Sequence, residues 1–229
     1  MNVNPEFFSN FWLLVGALVY AGVLLKAVRA APWWRLRNPQ DLNVFLYSLL
    51  GVFLMWLMNT HIEQSEAFVG PTLHLLGATL LTLMFGWAFA VLAMSAVILV
   101  FILMNAASIS NSLLTLPWDA LATGVLPVLI SYQLFRLVDR HLPNNFFIYI
   151  FLCAFFNAAL AMACTVLATT GIHYLSGAYS LEQLGYTYIP YGLILVFPEA
   201  FITGMFMSIF VVYRPEWVST FDDHRYLRK

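Results

Sequence analysis

Between residues 72 and 105 the chain reads TLHLLGATLLTLMFGWAFAVLAMSAVILVFILMN, a run without a single Asp, Glu, Lys or Arg. At about 1.5 Å per residue one helix of this length would reach roughly 50 Å, against a hydrocarbon core of about 30 Å. The run must therefore fold back on itself, and Phe85-Gly86-Trp87 is its only plausible turn. Splitting at Gly86 gives a short third helix over 72–86 and a full-length fourth over 87–105. Barrel strands would alternate apolar and polar residues, and this run does not.

The rest of the sequence extends the same reading. Further apolar segments lie at 8–28, 42–60, 118–138, 146–172 and 187–213, so the expected fold is an all-α membrane protein with seven transmembrane helices. The 229 residues are 62% hydrophobic and 9% charged, against about a quarter charged in an ordinary soluble domain, which excludes a soluble monomer. Residues 1–213 are read as a single seven-helix domain and 214–229 as a short cytoplasmic tail. The net charge is −1, with charges few and scattered, which argues against nucleic acid as a partner. The first basic residue is Lys26, so no basic leader precedes the first helix, which is expected to be retained.

Charge orients the helices. Lys26, Arg29, Arg35 and Arg37 follow the first segment, Arg136 and Arg140 the fifth, and Arg214, Arg225, Arg228 and Lys229 the seventh. With seven spans these basic residues share one side, which is then the cytoplasm, leaving the N-terminus outside and the C-terminus inside a bacterial plasma membrane. Fusing the third and fourth segments would break the pattern. Loops holding His61, Asn111 and His173 should face outward. Glu6, Glu63, Glu66, Asp119 and Glu182 fall on that outer side. They either attract cations or are simply what remains where basic residues are excluded.

Three features carry candidate chemistry. His74 opens the third helix within Gly70-Pro71-Thr72-Leu73-His74-Leu75-Leu76-Gly77. An imidazole inside the boundary of a membrane is costly unless it meets a partner, a cavity or a metal. It reads as a metal ligand or as a histidine hydrogen-bonded to a neighbouring helix, and His61, Glu63 and Glu66 in the preceding loop could converge with it on one ion. Glu199, beside Pro198 in the seventh helix, serves a polar path or gate, or is a structural group bonded between helices. Ala17 and Ala21 have the small-residue spacing that permits close helix approach.

Other signals fade. Cys153 and Cys164 on one helix lie about 16 Å apart and cannot bridge. The methionines are scattered and read as core filling. Trp33-Trp34 beside Arg35 reads as an interfacial anchor. No Gly-x-Ser-x-Gly, Gly-x-x-x-x-Gly-Lys or His-Glu-x-x-His pattern occurs, so an enzyme is not expected, and powered transport would need an ATPase on a separate chain.

The sequence resembles the CbiM-like family, the membrane substrate-binding component of cobalt and nickel energy-coupling-factor transporters. His74-Leu75-Leu76-Gly77 with Leu80 through Gly86 looks like that family's His-x-x-Gly helix and its terminal turn. Leu113 through Tyr132 resembles the block that follows, Pro198 through Met205 resembles the last helix, and Met1-Asn2-Val3 with Phe7-Phe8 resembles the N-terminal opening. In the family the N-terminal amine, the amide and imidazole of position two, and the third-helix histidine hold the metal. The resemblance therefore implies Met1 and His74 as ligands here, with position two occupied by Asn2, whose neutral amide is a poor nickel or cobalt ligand. Asp119 stands where the family usually has asparagine. Either this is a divergent branch binding another ion through His61, His74 and acidic groups, or the site has been lost.

The expected function is capture of a divalent transition metal at the outer face as transported substrate, with no tightly bound cofactor. The partners are a transmembrane coupling subunit, an ATPase subunit and the lipid bilayer. His74 is the first candidate ligand, His61 and Met1 follow, and Asn2 is at most positional. Glu199 and Asp119 are gating or structural. The alternative is a membrane scaffold or assembly protein of the same fold without metal transport.

Overall fold

The structure is a computed structural model and describes residues 8–60, 74–105, 109–186 and 188–226. The described residues form helices and no strands. We label them α1 (Asn10–Ala30), α2 (Pro39–Thr60), α3 (Ala78–Phe85), α4 (Trp87–Asn105), α5 (Ile109–His141), α6 (Phe146–Leu175), α7 (Leu181–Tyr186), α8 (Tyr188–Tyr213) and α9 (Asp223–Tyr226). Helix α5 contains a π turn at Leu121–Val125 between Pro117 and Pro127, and α6 contains one at Tyr149–Phe156. Each widens the helix locally without ending it.

Among the described residues six helices are long and apolar enough to cross a membrane. The expected third span is different. Its helix has only eight residues, about 12 Å, and residues 74–77 before it are not helical. The segment nevertheless travels far. His74 stacks on Trp56 near one end of α2, and Phe85 meets Phe45 near the other, a separation of about 16 Å along that helix. The break at Gly86 is where expected: it takes φ 83° and ψ 165°, a region open to glycine alone.

Contacts between helix ends give an alternating path of seven passages. One end gathers Trp33 on Phe89, Phe45 on Phe85, and Tyr149 on Phe221 and Tyr226. It also holds the Arg225–Asp139 pair at 2.9 Å and the described basic residues that follow α1, α5 and α8. The other end gathers Trp12 with Trp118, Trp56 with His74 and Phe101, and His173 with Tyr188. Two expectations about that end are corrected. Asn111 lies in the first turn of α5, and His173 lies in the last turn of α6 and is buried rather than in a loop.

Helix α3 is the axis of the bundle. Every one of its residues is buried, as expected for a helix apolar on all sides. Its few polar groups tie it to neighbours: Thr79 shares a 2.7 Å hydrogen bond with Ser131 of α5, whose carbonyl accepts from Asn157 Nδ2 of α6 at 2.9 Å. The carbonyls of its last turn are met from the chain after α8. Ser219 N donates to Met84 O at 2.9 Å, and Thr220 Oγ1 donates to Leu83 O at 2.7 Å. In lipid such carbonyls have no water to turn to, so these long-range bonds close what an eight-residue helix leaves open.

The small-residue contact of α1 falls at Gly16, not at the Ala17/Ala21 pair. A Cβ on Gly16 would lie 2.5 Å from Nε1 of Trp118, so only glycine admits this approach, while Ala21 is exposed. Cys153 and Cys164 are free thiols, in line with a packing role. Trp33 and Trp34 are exposed, and Trp33 Nε1 donates to Val28 O at 2.7 Å, as suits interfacial anchors.

Candidate metal centre

Four residues, His74 to Gly77, carry the chain into α3, and their conformation is set from outside. Gly77 takes φ 67° and ψ 2°, a left-handed conformation costing other L-residues about 1–2 kcal/mol. A Cβ there would also come within 2.8 Å of Val52 Cγ2 on α2. The turn exposes two successive N–H groups to α8, where Glu199 receives both: Leu76 N donates to Oε2 at 2.8 Å and Gly77 N to Oε1 at 2.9 Å. Trp56 Nε1 donates to Leu76 O at 3.3 Å, and Leu81 N to Gly77 O at 3.1 Å. All four backbone polar groups of Leu76 and Gly77 are thus bonded, the condition for irregular backbone at membrane depth.

His74 hangs at the upper end of this clamp. Its ring lies 3.8 Å from the Trp56 ring at an interplanar angle of 37°, with Phe101 at 6.3 Å on the α4 side, and the residue is 3% exposed. Nδ1 is 3.2 Å from Leu75 O. A carbonyl only accepts, so this bond requires Nδ1–H and leaves Nε2 as the lone-pair nitrogen. An imidazole oriented by a carbonyl on one nitrogen, with the lone pair on the other, has the arrangement of a metal-ligating histidine.

Glu199, 2% exposed, touches the histidine segment through backbone and not through the ring. Its carboxylate accepts two N–H groups at the start of α3, where the helix dipole favours negative charge. Asp119 is buried on α5, and its backbone carbonyl accepts from Thr123 Oγ1 at 2.7 Å. Among the described residues no three His, Cys, Asp or Glu side chains come together to hold an ion. Met1, Asn2 and His61 lie outside the described residues.

Sequence reasoning missed one member of the site, Trp56, and the role of another, Gly77. Trp56 both stacks on His74 and bonds the backbone beside it, yet one tryptophan near a helix end looks like any interfacial anchor. Gly77 is legible in the sequence as the glycine of the His-x-x-Gly stretch but not in its role, although a glycine three positions after the histidine and just before a helix signals a left-handed cap. A further buried imidazole, His173, lies edge-on to Tyr179 and Tyr188 at 5.5 and 6.1 Å.

These features define a polytopic helical membrane protein whose central half-length helix is suspended from a carboxylate clamp beside a buried imidazole. The chain belongs to the CbiM family, described as the cobalt uptake substrate-specific transmembrane region, which matches residues 2–217. It is thereby a membrane component of metal uptake. Two solved structures share the fold. One is described as a transition metal transporter, with 17% identity, 93% of each chain covered and a TM-score of 0.70. The other is a truncated transition metal transporter, with 17% identity, 93% of this chain and 98% of that one covered, and a TM-score of 0.69. No curated protein matches the chain.

Proposed function

We propose that the protein captures a divalent transition metal at the outer membrane face for an energy-coupling-factor importer, with His74 Nε2 as the principal side-chain ligand. The observation that carries this reading is the preparation of that nitrogen: the ring is stacked on Trp56, its Nδ1 faces Leu75 O, and the backbone two residues on is fixed by Glu199. The end of the bundle where His74 sits is opposite the basic end, which is the outer end if basic residues mark the cytoplasm of a bacterial plasma membrane. The amine of Met1 and the imidazole of His61 are the proposed companions of His74, Asn2 is positional, and Glu199 and Asp119 are structural or gating groups. Cobalt and nickel are the metals the family points to, since imidazole and amine nitrogens suit both. A transmembrane coupling subunit and an ATPase subunit on other chains would complete the importer.

Metal titration of purified protein with a free N-terminus and a C-terminal tag tests the reading. Cobalt or nickel should bind at one ion per chain, and His74→Ala should abolish binding while leaving the helical content intact. Equal metal content in wild type and His74→Ala would transfer the histidine to a packing role and leave the scaffold reading in its place.

A further inference from the structure

Helix α2 leans against α4 and the turn at Arg35–Arg37 and stands off from α8. The resulting cleft, about 600 Å³, runs between α2 and α8 with α3 as its floor. It extends along α2 from Asp41 to Met55, about 21 Å, which is more than half the thickness of a hydrocarbon core. Its interior is apolar, and among the described residues its charged lining, Asp41, Arg214 and Glu216, stands at the basic end together with the indole of Trp217.

The floor residues Leu80 and Met84 are 8 and 1% exposed, so the surface the cleft offers an occupant is its walls, where Gly51 is exposed and Val44, Phe206 and Phe210 are half-buried. A flexible acyl chain can run between these walls. The rim adds the chemistry of a headgroup. Arg214 is loosely held, with Glu216 at 3.5 Å and both side chains mostly exposed, and its guanidinium lies 5.9 Å from the Trp217 ring, an arrangement suited to binding phosphate. The two carboxylates exceed the single cation, so the rim disfavours a purely anionic lipid and offers acceptors to an ammonium group.

We propose that this cleft is a binding site for a zwitterionic phospholipid carrying a primary ammonium, a phosphatidylethanolamine, in the leaflet at the basic end. One acyl chain lies between Gly51 of α2 and Phe206 and Phe210 of α8, the phosphate meets Arg214, and the ammonium meets Asp41 and Glu216. The occupant would fill the gap between α8 and α2, the helix that carries Trp56.

Native mass spectrometry of the full chain after equilibration with equal amounts of dioleoyl phosphatidylethanolamine, phosphatidylcholine and phosphatidylglycerol tests this. Wild type should retain phosphatidylethanolamine severalfold over the other two. A Cβ on Gly51 in the cleft wall meets nothing within 4 Å, so Gly51→Leu should fill the cleft without an internal clash and remove the preference. Arg214→Gln, a change at an exposed side chain, should lower retention independently of any effect on folding. Asp41→Asn with Glu216→Gln should shift the preference to phosphatidylglycerol. Equal retention of the three lipids by wild type overturns the proposal, as does unchanged retention in both Gly51→Leu and Arg214→Gln. A Gly51→Leu protein that keeps its lipid but no longer associates with a transmembrane partner would assign the cleft to a protein helix. None of these readouts depends on metal.

Discussion

Glu199 and Gly77, 122 positions apart in sequence, hold each other at 2.9 Å, and the second carboxylate oxygen takes the adjacent N–H of Leu76 at 2.8 Å. A left-handed glycine turns two successive N–H groups toward one anion, the geometry of a backbone nest. The relationship runs both ways. The carboxylate is tolerable inside an apolar helix because it has two donors, and the non-helical backbone is tolerable because it has an acceptor. His74 is anchored by this exchange without touching it.

Replacing Glu199 separates these roles. Gln keeps the shape but offers one acceptor and one NH2 donor, so one backbone N–H faces a donor, a loss of about 1–3 kcal/mol. Ala removes both acceptors and leaves a cavity, with a cost of roughly 3–5 kcal/mol. Thermal unfolding in detergent should rank wild type above Glu199→Gln above Glu199→Ala, with cobalt or nickel affinity falling in the same order. Wild-type melting for both variants would show that the clamp does not support the fold.

Gly77→Ala meets two separate obstacles, the positive φ and the Val52 side chain. The backbone part costs about 1–2 kcal/mol and the overpacking about 1–3 kcal/mol. Only the second can be relieved from α2. In a double-mutant cycle, Val52→Ala should therefore recover part of the Gly77→Ala loss and not all of it. Strict additivity of the two changes would mean that α2 does not press on this turn.

The parts of this structure legible in the sequence are those that depend on local composition. The break at Gly86 was legible because a charge-free run from 72 to 105 exceeds any bilayer and contains one glycine flanked by aromatics. His74 and Glu199 were legible as expensive residues in apolar surroundings. Their connection was not, because it is made through the backbone of Leu76 and Gly77, and hydropathy assigns these residues the same apolar character whether they are helical or extended. Hydropathy therefore predicts a helix over the whole third segment, while its first described residues are non-helical and bonded to α2 and α8. Hydropathy ends the sixth segment at residue 172 and so puts His173 in a loop, yet α6 continues past it to Leu175.

Sidedness has its own test. Tyr186 lies between the last two long passages at the end away from the basic residues and is 78% exposed. The Glu216 side chain, at the basic end, is 59% exposed. In a background with Cys153 and Cys164 changed to Ala, Tyr186→Cys should react with a membrane-impermeant maleimide in intact cells, and Glu216→Cys only after the membrane is opened. Both positions labelling from the same side would defeat the seven-passage path, and the reverse pattern would place the basic end outside.

Asn2 is the position at which family membership and ligand chemistry conflict. The resemblance implies an N-terminal amine, the nitrogen of the second amide and two imidazoles as the ligand set, a square of nitrogens suited to Ni(II) or Cu(II), and asparagine removes one corner. If that corner is all that has been lost, Asn2→His should tighten nickel binding by more than about tenfold, each decade being worth about 1.4 kcal/mol. The variant needs a free N-terminus, so any tag belongs at the C-terminal end. The gain should vanish when His74→Ala is added, because an imidazole at position two cannot complete the square without the one at 74. A gain that survives His74→Ala would instead describe a site made by the N-terminus alone. No gain in a folded variant with its amine confirmed free would mean that the surroundings of His74 suit a different ligand set, with His61 the next imidazole to remove.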